Sequence, residues 1–376
     1  MEMMKGYSVY TPTLTNSSIM YVKELMVWYP LRRSLKEILM RLPPRHIKAV
    51  DGVSFTIGEG EVLALAGESG CGKTTTGRAI LRLVDPTSGV IGFKPSEKLF
   101  NEIIDIEGHQ IVLESKKHID IARVSHRNLK LLRREMQIVF QDPYASLNPR
   151  YSILRTLMEA LKIHGIGSTR EEQIEIVAKT LELVKLTPAE EFMYRYPHQL
   201  SGGQRQRVVF ARAIILKPRF IVADEPTSML DVSIRADIIK LMMDLKEQLR
   251  LSYLFITHDL ALTRYIANRI AVMYLGKIVE LGDAEKVLYN PLHPYTTALL
   301  KAIPEPDPSR KEKLKELHIK GEIQSGIDIP SGCRFSSRCP ILENNPSLEP
   351  LCKKVEPPLL ELERNHYTAC WRLVKM

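Results

Sequence analysis

Apolar and polar residues alternate along two stretches near the start of the chain. Residues 21–29 (YVKELMVWY) and 53–57 (VSFTI) follow a two-residue period. This is the period of a β-strand with one buried and one exposed face. A Gly-Glu-Gly turn at residues 58–60 follows the second stretch. We therefore predict that residues 1 to about 60 contain half-buried strands of an antiparallel sheet.

Other stretches are largely apolar and predict strands that are covered on both faces. They cover residues 62–67, 219–223 and 254–257, and such runs are typical of a parallel sheet. Residues 270–279 again have strand character, a helix is predicted from about Lys73, and residues 150–200 have the helical period. Residues 94–127 are polar and irregular, and we predict an elaborated surface segment there. The fold class predicted is α/β.

A glycine-rich loop joins the first buried strand to the predicted helix. Residues 67–74, GESGCGKT, match G-x-x-x-x-G-K-[ST] in the strand–loop–helix context that this pattern requires. Its N–H groups can surround a phosphate at a helix N-terminus, Lys73 can reach the β- and γ-phosphates, and Thr74 can ligate Mg²⁺. A chance glycine-rich turn is the weaker alternative. The candidate nucleotide-binding residues are Gly67, Ser69, Gly70, Cys71, Gly72, Lys73, Thr74 and Thr75, with Cys71 expected to pack and to have no redox role.

A second buried strand ends in two carboxylates. Residues 219–226, RFIVADEP, place Asp224 at the carboxyl end of the strand, where it can hold the Mg²⁺ that Thr74 also contacts. Glu225 is then placed to polarise an attacking water. The alternative is a pair of surface carboxylates that cap a strand, but the preceding phosphate loop favours the magnesium site.

Residues 200–207, LSGGQRQR, resemble the signature sequence of ABC ATPases. Ser201 is expected to cap a helix whose first amides form an anion site. The resemblance implies that Ser201, Gly202, Gly203 and Gln204 face the γ-phosphate of ATP held by the other subunit of a dimer. Two ATP molecules are sandwiched between two such domains in this family.

The remaining elements of an ABC ATPase are present in order. Gln141 resembles the glutamine that senses Mg²⁺ and the attacking water, and His258 resembles the switch histidine that contacts the γ-phosphate. Tyr29 resembles the aromatic residue that stacks on adenine and is preferred over the adjacent Trp28, since only one of them can point inward. With Glu225, Gln141 and His258 all present, the chain is expected to hydrolyse ATP. Met229 departs from the small residue usual in the loop that crosses the dimer interface, with little expected consequence.

Two further stretches resemble the ATPase subunits of oligopeptide/dipeptide permeases. They are QDPYASLNPR at residues 141–150 and NPLHPYTTALL at residues 290–300. The resemblance implies a second ABC ATPase chain, identical or paralogous, two transmembrane permease subunits, and an extracellular solute-binding protein. The solute is expected to be an oligopeptide, a dipeptide or a related solute such as an oligosaccharide.

The resemblance also implies the domain organisation. Residues 1–289 form a P-loop ABC nucleotide-binding domain with a mixed or parallel core sheet, an antiparallel β subdomain and a helical subdomain at about residues 143–205. The composition becomes rich in proline and lysine after about Pro291, so we place a boundary there and predict that residues 290–376 form a small C-terminal extension with the four-cysteine cluster.

Charge and hydropathy indicate where the protein is expected to lie in the cell. No apolar run approaches the roughly 20 residues of a membrane helix, and no signal peptide is apparent. A peripheral subunit on the cytoplasmic face of the cell membrane is therefore expected. The net charge of +9 permits the alternative of a soluble ABC ATPase acting on nucleic acid or ribosomes. Such proteins commonly carry two cassettes or coiled-coil insertions, so no nucleic acid is expected, and the intact Glu225 and His258 argue against a non-hydrolysing regulatory subunit.

Four of the five cysteines lie near the end of the chain. They are Cys333, Cys339, Cys352 and Cys370, with 5, 12 and 17 residues between them. Four thiolates suit a [4Fe–4S] cluster or tetrahedral zinc, although the spacings do not match the short pairs of zinc sites. The resemblance to the permease ATPases implies a cluster here, since some members of that family carry one at such cysteines. The expected cofactors are therefore ATP, Mg²⁺ and a [4Fe–4S] cluster, with zinc or unliganded thiols as alternatives.

Overall fold

The structure is a computed structural model that describes residues 7–33, 35–41, 43–302, 326–327, 329–343 and 345–374. Its strands are β1 Ser18–Pro30, β2 His46–Gly58, β3 Val62–Ala66, β4 Ser88–Phe93, β5 Ile119–Asp120, β6 Met136–Val139, β7 Phe220–Asp224, β8 Ser252–Thr257, β9 Arg269–Tyr274, β10 Lys277–Asp283, β11 Leu360–Glu363 and β12 His366–Thr368. Its α-helices are α1 Leu35–Leu39, α2 Lys73–Ile80, α3 Glu97–Glu107, α4 Leu129–Leu132, α5 Pro143–Ser146, α6 Ile153–Ile163, α7 Arg170–Leu183, α8 Ala189–Met193, α9 Gly202–Ile214, α10 Val232–Leu249, α11 Leu260–Ile266, α12 Ala284–Tyr289, α13 Pro294–Lys301, α14 Pro340–Glu343 and α15 Glu349–Lys354.

A mixed sheet forms the core of the described chain, in the order β11-β12-β10-β9-β3-β8-β7-β6. The strands from β6 to β9 are parallel, and β10, β12 and β11 continue antiparallel. All five residues of β3 are buried. Ala64 and Ala66 pack on one face, whereas Leu63 and Leu65 pack on the other. The predicted α/β fold with doubly covered strands is confirmed.

A smaller sheet of order β2-β1-β4-β5 packs against the core sheet. β1 and β2 pair antiparallel, and alternate side chains of β2 are buried, which confirms the strand prediction for the N-terminal region. On the other side of the core sheet, the helices α5 to α9 form a layer whose buried residues include Leu157, Val177 and Leu181. Residues 150–200, which were predicted to be helical, thus form α6, α7 and α8.

The prediction of an irregular surface segment at residues 94–127 was only partly right, because many of its side chains are exposed but others contribute to the core. The segment contains α3 and β5, and the side chains of Ile103, Ile111 and Ile119 are fully or almost fully buried. These isoleucines pack in the core between the two sheets. Leu99 and Ile103 are four residues apart on the buried side of α3, and Ser96 caps this helix, so a helical period was present in residues 97–107 and was overlooked among the polar residues around it.

The end of the chain returns to the core sheet. β12 pairs with β10 and β11 pairs with β12, so residues 360–368 complete one edge of the sheet to which the phosphate loop is attached. Buried Glu280 of β10 accepts hydrogen bonds from His366 and from the backbone N–H groups of Leu292 and His293. The predicted C-terminal extension is thus continuous with the sheet. In the described part of the chain, no helix is both long enough and apolar enough to cross a membrane.

Candidate nucleotide site

The predicted site residues gather where parallel strands end. The glycine-rich loop follows β3, Gln141 follows β6, Asp224 ends β7 and His258 follows β8. Because β6, β7, β8 and β3 are parallel neighbours, their carboxyl ends lie at one edge of the sheet. Open α/β sheets bind ligands at this edge.

The loop conformation requires its glycines. Gly67 and Gly72 have φ angles of 150° and 108°. A Cβ added at Gly67 would lie 2.2 Å from the carbonyl oxygen of Met273, and one at Gly72 would lie 2.1 Å from that of Ala49. Only glycine permits this approach of backbone to backbone. The loop leads directly into α2, whose first residue is Lys73.

Lys73 is folded back onto the loop. Its Nζ donates to the carbonyl oxygens of Gly67 and Glu68, each at 2.8 Å. The side chain is buried, so the ammonium group is held inside the loop by hydrogen bonds to the backbone. This is the position in which a loop lysine can meet a bound phosphate.

Thr74 and Asp224 form the candidate magnesium position. Thr74 Oγ1 donates to Asp224 Oδ1 at 2.9 Å. Burial raises the pKa of Asp224 above its ordinary value, and the hydrogen bond from Thr74 only partly offsets this effect. A hydroxyl and a carboxylate oxygen are ligands that Mg²⁺ prefers, so the two side chains fit this ion.

Glu225 stands beside two further predicted residues. Gln141 Nε2 donates to Glu225 Oε2 at 3.0 Å, and His258 Nδ1 lies 3.0 Å from the same oxygen. Glu225 has a φ of 45°, which is unusual for a residue other than glycine and is found at functional sites. Its N–H donates to the carbonyl of Ile256 in β8. The strained turn after β7 therefore aims the carboxylate toward Gln141 and His258.

Most of these groups line one open cavity of about 470 Å³, and Asp224 lines a neighbouring cavity of about 410 Å³ together with Thr74 and Gln141. Ala49 also lines the cavity and was not predicted from the sequence, where a small residue in a strand gives no signal. The thiol of Cys71 is buried beneath the loop, as expected for a packing residue. The lining residues are Ala49, Ser69, Gly70, Gly72, Lys73, Thr74, Thr75, Gln141, Glu225 and His258.

The signature residues do not join this cavity. Ser201 Oγ accepts from Gln204 N–H at 3.3 Å, and Gln204 Oε1 accepts from Ser201 N–H at 3.0 Å, so the predicted helix cap is confirmed. Ser201, Gly202, Gly203 and Gln204 are outside the cavity lining. The first turn of α9 thus lies at a separate position on the same chain.

Tyr29 also lies outside the cavity lining. It is 39% exposed at the end of β1. The neighbouring Trp28 is engaged elsewhere, because its indole donates to Asp51 at 2.9 Å and Lys48 lies over its ring. Of the two aromatic residues, Tyr29 is therefore the more exposed.

The four C-terminal cysteines lie near one another in the structure. The thiol of Cys333 interacts electrostatically with those of Cys339, Cys352 and Cys370. Burial raises the pKa of all four, that of Cys333 to about 12 and that of Cys370 to about 11. Among the described residues, no three cysteines, histidines or carboxylates are grouped so as to hold a metal ion.

The residues that contact Glu68 in the phosphate loop were not predicted from the sequence. Glu68, at a variable position of the loop pattern, contacts Tyr295 and Arg338. Tyr295 and Arg338 are 227 and 270 residues away along the chain, so no local pattern connects them with the loop.

The family of the chain follows from comparisons with known proteins. Residues 50–228 match the model of the ABC transporter family, and residues 279–345 match the model of the oligopeptide/dipeptide transporter C-terminal region. A Brucella ovis protein with a peptide-import ATP-binding designation is 45% identical over 326 residues, which are 87% of this chain and 92% of that protein. The oligopeptide transport ATP-binding protein AppF of Bacillus subtilis is 41% identical over 354 residues, 94% of this chain and 97% of AppF.

Solved structures agree. The ATP-binding cassette MJ0796, in a dimeric post-hydrolysis state with ADP and Pi, superposes with a TM-score of 0.55 and 26% identity, covering 70% of this chain and 98% of MJ0796. The fold and site are those of an ABC ATPase. The chain belongs to the oligopeptide/dipeptide family of ABC transporter ATP-binding subunits. It is an ATPase, and ATP and Mg²⁺ are the cofactors expected of this class. Members of the family dimerise and work with permease subunits.

Proposed function

We propose that this chain powers the import of oligopeptides or dipeptides. The names of the Brucella ovis protein and of AppF support a peptide solute. The observation that carries the ATPase mechanism is the convergence of Gln141 and His258 on one carboxylate oxygen of Glu225, in the lining of the phosphate-loop cavity. The proposed solute is a peptide, because neither relative is named for oligosaccharide transport.

Different residues at the site have different roles in phosphoryl transfer. The loop amides and Lys73 bind the β- and γ-phosphates, while Thr74 and Asp224, with Gln141, hold Mg²⁺, which neutralises charge on the phosphates when bound. Glu225 accepts hydrogen bonds from Gln141 and from the attacking water, and so orients that water toward the γ-phosphate. His258 donates to a γ-phosphate oxygen. These groups act by position and charge, since phosphoryl transfer requires no covalent intermediate on the protein.

The signature residues act on a second nucleotide. Ser201, Gly202, Gly203 and Gln204 lie outside the cavity of their own chain, and the helix N-terminus that Ser201 caps favours an anion. We place the γ-phosphate held by a second ATPase chain at this position, with Tyr29 of each chain stacking on its own adenine. The second chain is identical or paralogous.

Two permease subunits and, indirectly, an extracellular solute-binding protein complete the proposed importer. The chain would then lie at the cytoplasmic face of the membrane as a peripheral subunit. Copurification with the permease subunits tests this arrangement. A chain that copurifies instead with ribosomes or nucleic acid would favour the alternative function.

We also propose that Cys333, Cys339, Cys352 and Cys370 ligate a [4Fe–4S] cluster. The support is a set of four cysteines whose thiols lie close enough to affect one another's charge. Zinc and unliganded thiols are the alternatives to the cluster. Such a cluster would hold a small segment together. Iron and sulfide near four per chain, after purification without oxygen, would support it; metal-free protein with full ATPase activity would exclude it.

The solute is tested by uptake in cells. Cells that lack this chain are compared with cells that carry it, with labelled oligopeptides, dipeptides and oligosaccharides as solutes. The proposal predicts that peptide uptake is lost without the chain and that oligosaccharide uptake is unchanged. Loss of oligosaccharide uptake alone would contradict the peptide assignment and leave the ATPase assignment intact.

A further inference from the structure

Glu68 of the phosphate loop is held at three points. Its N–H donates to the hydroxyl of Tyr295 at 2.8 Å, and its carbonyl oxygen accepts from Lys73 Nζ at 2.8 Å. Its carboxylate accepts two hydrogen bonds from Arg338, Nη1–Oε2 at 2.9 Å and Nη2–Oε1 at 3.3 Å. One residue therefore connects the loop lysine to two side chains that follow residue 290.

Arg338 belongs to the cysteine-containing segment. It lies in the 3₁₀ turn Ser336–Arg338, between Cys333 and Cys339. Its side chain is only 7% exposed and that of Glu68 is 22% exposed. A two-pronged, largely buried arginine–carboxylate pair fixes geometry better than an exposed ion pair.

An aromatic cluster fixes the segment against the loop. Phe335 packs on Tyr274 and Tyr295 with ring centroids 5.3 and 5.4 Å apart, and Tyr274 packs on Tyr295 at 4.7 Å. All three rings are almost fully buried. Arg338 also contacts the Tyr274 hydroxyl at 3.3 Å. Burial raises the pKa of Tyr295, so its hydroxyl stays neutral and can accept from Glu68.

A second anchor holds the same segment. Arg334 donates to the carboxylate of Asp51 and to the carbonyl of Leu275. Both partners belong to the nucleotide-binding region, and the Arg334 side chain is buried. The position of Arg338 is thus set by packing on both sides.

We propose that the cysteine-containing segment is a positioning element of the ATP site, in which Arg338 and Tyr295 hold Glu68 and, through it, the phosphate loop and Lys73. The inference rests on the proposed role of Lys73 as a phosphate ligand. A loop that is ordered before binding loses less conformational freedom when ATP arrives. Since the loop holds the phosphates in both the ground state and the transition state, its loosening raises KM and leaves kcat nearly unchanged.

The test combines Arg338→Gln, Glu68→Gln and the double variant in the assembled transporter. Each single variant is expected to raise the KM for ATP about tenfold while kcat changes less than about twofold. The double variant is expected to be no worse than either single variant, because both remove the same contact. Lys353→Gln is the matched control: Lys353 is in the same segment and pairs with Glu349 at 2.6 Å, and both side chains are about half exposed. It should leave KM unchanged.

Two more conservative variants test the inference with less risk that the protein fails to fold. Tyr295→Phe retains the ring and removes the acceptor of the Glu68 N–H, so it should raise the KM about fivefold. Arg338→Lys keeps the charge without the two-pronged geometry and should fall between wild type and Arg338→Gln. The thermal midpoint of each variant without nucleotide shows whether it is folded.

The outcomes separate this inference from the proposed site. The inference would be overturned if Arg338→Gln and Tyr295→Phe are folded and have the wild-type KM for ATP. It would also be overturned if the double variant raises KM by the product of the two single effects of Glu68→Gln and Arg338→Gln. Lys73→Ala tests the site itself and should abolish ATP binding. If Lys73→Ala binds ATP normally, the proposed site fails; if it loses binding while Arg338→Gln does not, only the positioning role fails.

Discussion

Thr74 Oγ1 donates a hydrogen bond of 2.9 Å to Asp224 Oδ1. The bond joins the start of α2 to the end of β7, although β8 lies between β3 and β7 in the sheet. The fold thus holds the two oxygens adjacent to each other, beside Lys73 and Glu225. A site arranged in advance has little reorganisation left to do when nucleotide and Mg²⁺ arrive.

Asp224→Asn tests the magnesium position. The amide keeps the size of the carboxylate and can still accept from Thr74, but it lacks the negative charge. We expect the Mg²⁺ concentration for half-maximal hydrolysis to rise at least about tenfold. Nucleotide binding without Mg²⁺ should be retained, because the substitution removes a negative charge near the phosphates. An unchanged Mg²⁺ requirement would show that Asp224 is not a ligand.

Gly72→Ala tests the conformation of the loop. The added Cβ would lie 2.1 Å from the Ala49 carbonyl oxygen, so the loop must move and ATP binding should be lost. Gly60→Ala is the matched control. Gly60 also has a positive φ, of 71°, but an added Cβ meets nothing within 4 Å, so about 1–2 kcal/mol of backbone strain is expected with normal ATP binding. Equal effects in nucleotide titration would refute the steric argument.

Local sequence patterns predicted the strands and the nucleotide motifs well. Periodicity identifies β2 and β3, and each motif comes directly after its strand. The pairing of β12 with β10 was not predictable, because the two strands are separated by some eighty residues that carry no common pattern. The contact between Glu68 and Arg338 spans 270 residues and is set by the packing of Phe335. Long-range packing of this kind leaves no period in the sequence.

His293 makes stability depend on pH. Burial, partly offset by the Glu280 carboxylate, lowers the pKa of His293 to about 4. Between its ordinary value of 6.5 and about 4, the unfolded chain therefore binds a proton that the folded chain does not. The neutral histidine's contribution is complete above pH 6.5 and decreases as the pH falls toward 4. At about pH 5 the loss amounts to about 2 kcal/mol.

Urea unfolding at about pH 7 and about pH 5 measures this loss. His293→Asn is the control variant, since asparagine can still accept from the Tyr295 N–H and does not titrate. Its stability should fall less between the two pH values than that of the wild type, by about 2 kcal/mol. An equal fall in both proteins would assign the pH dependence to other groups.

The most direct test of the central claim is ATP hydrolysis by Glu225→Gln. The glutamine keeps the side chain's shape but cannot polarise water as a carboxylate does. We predict that the wild type hydrolyses ATP in the presence of Mg²⁺, that the variant is slower by at least about 100-fold, and that its ATP affinity stays within about threefold. A variant that hydrolyses ATP at the wild-type rate would contradict the assignment of Glu225 as the residue that activates water.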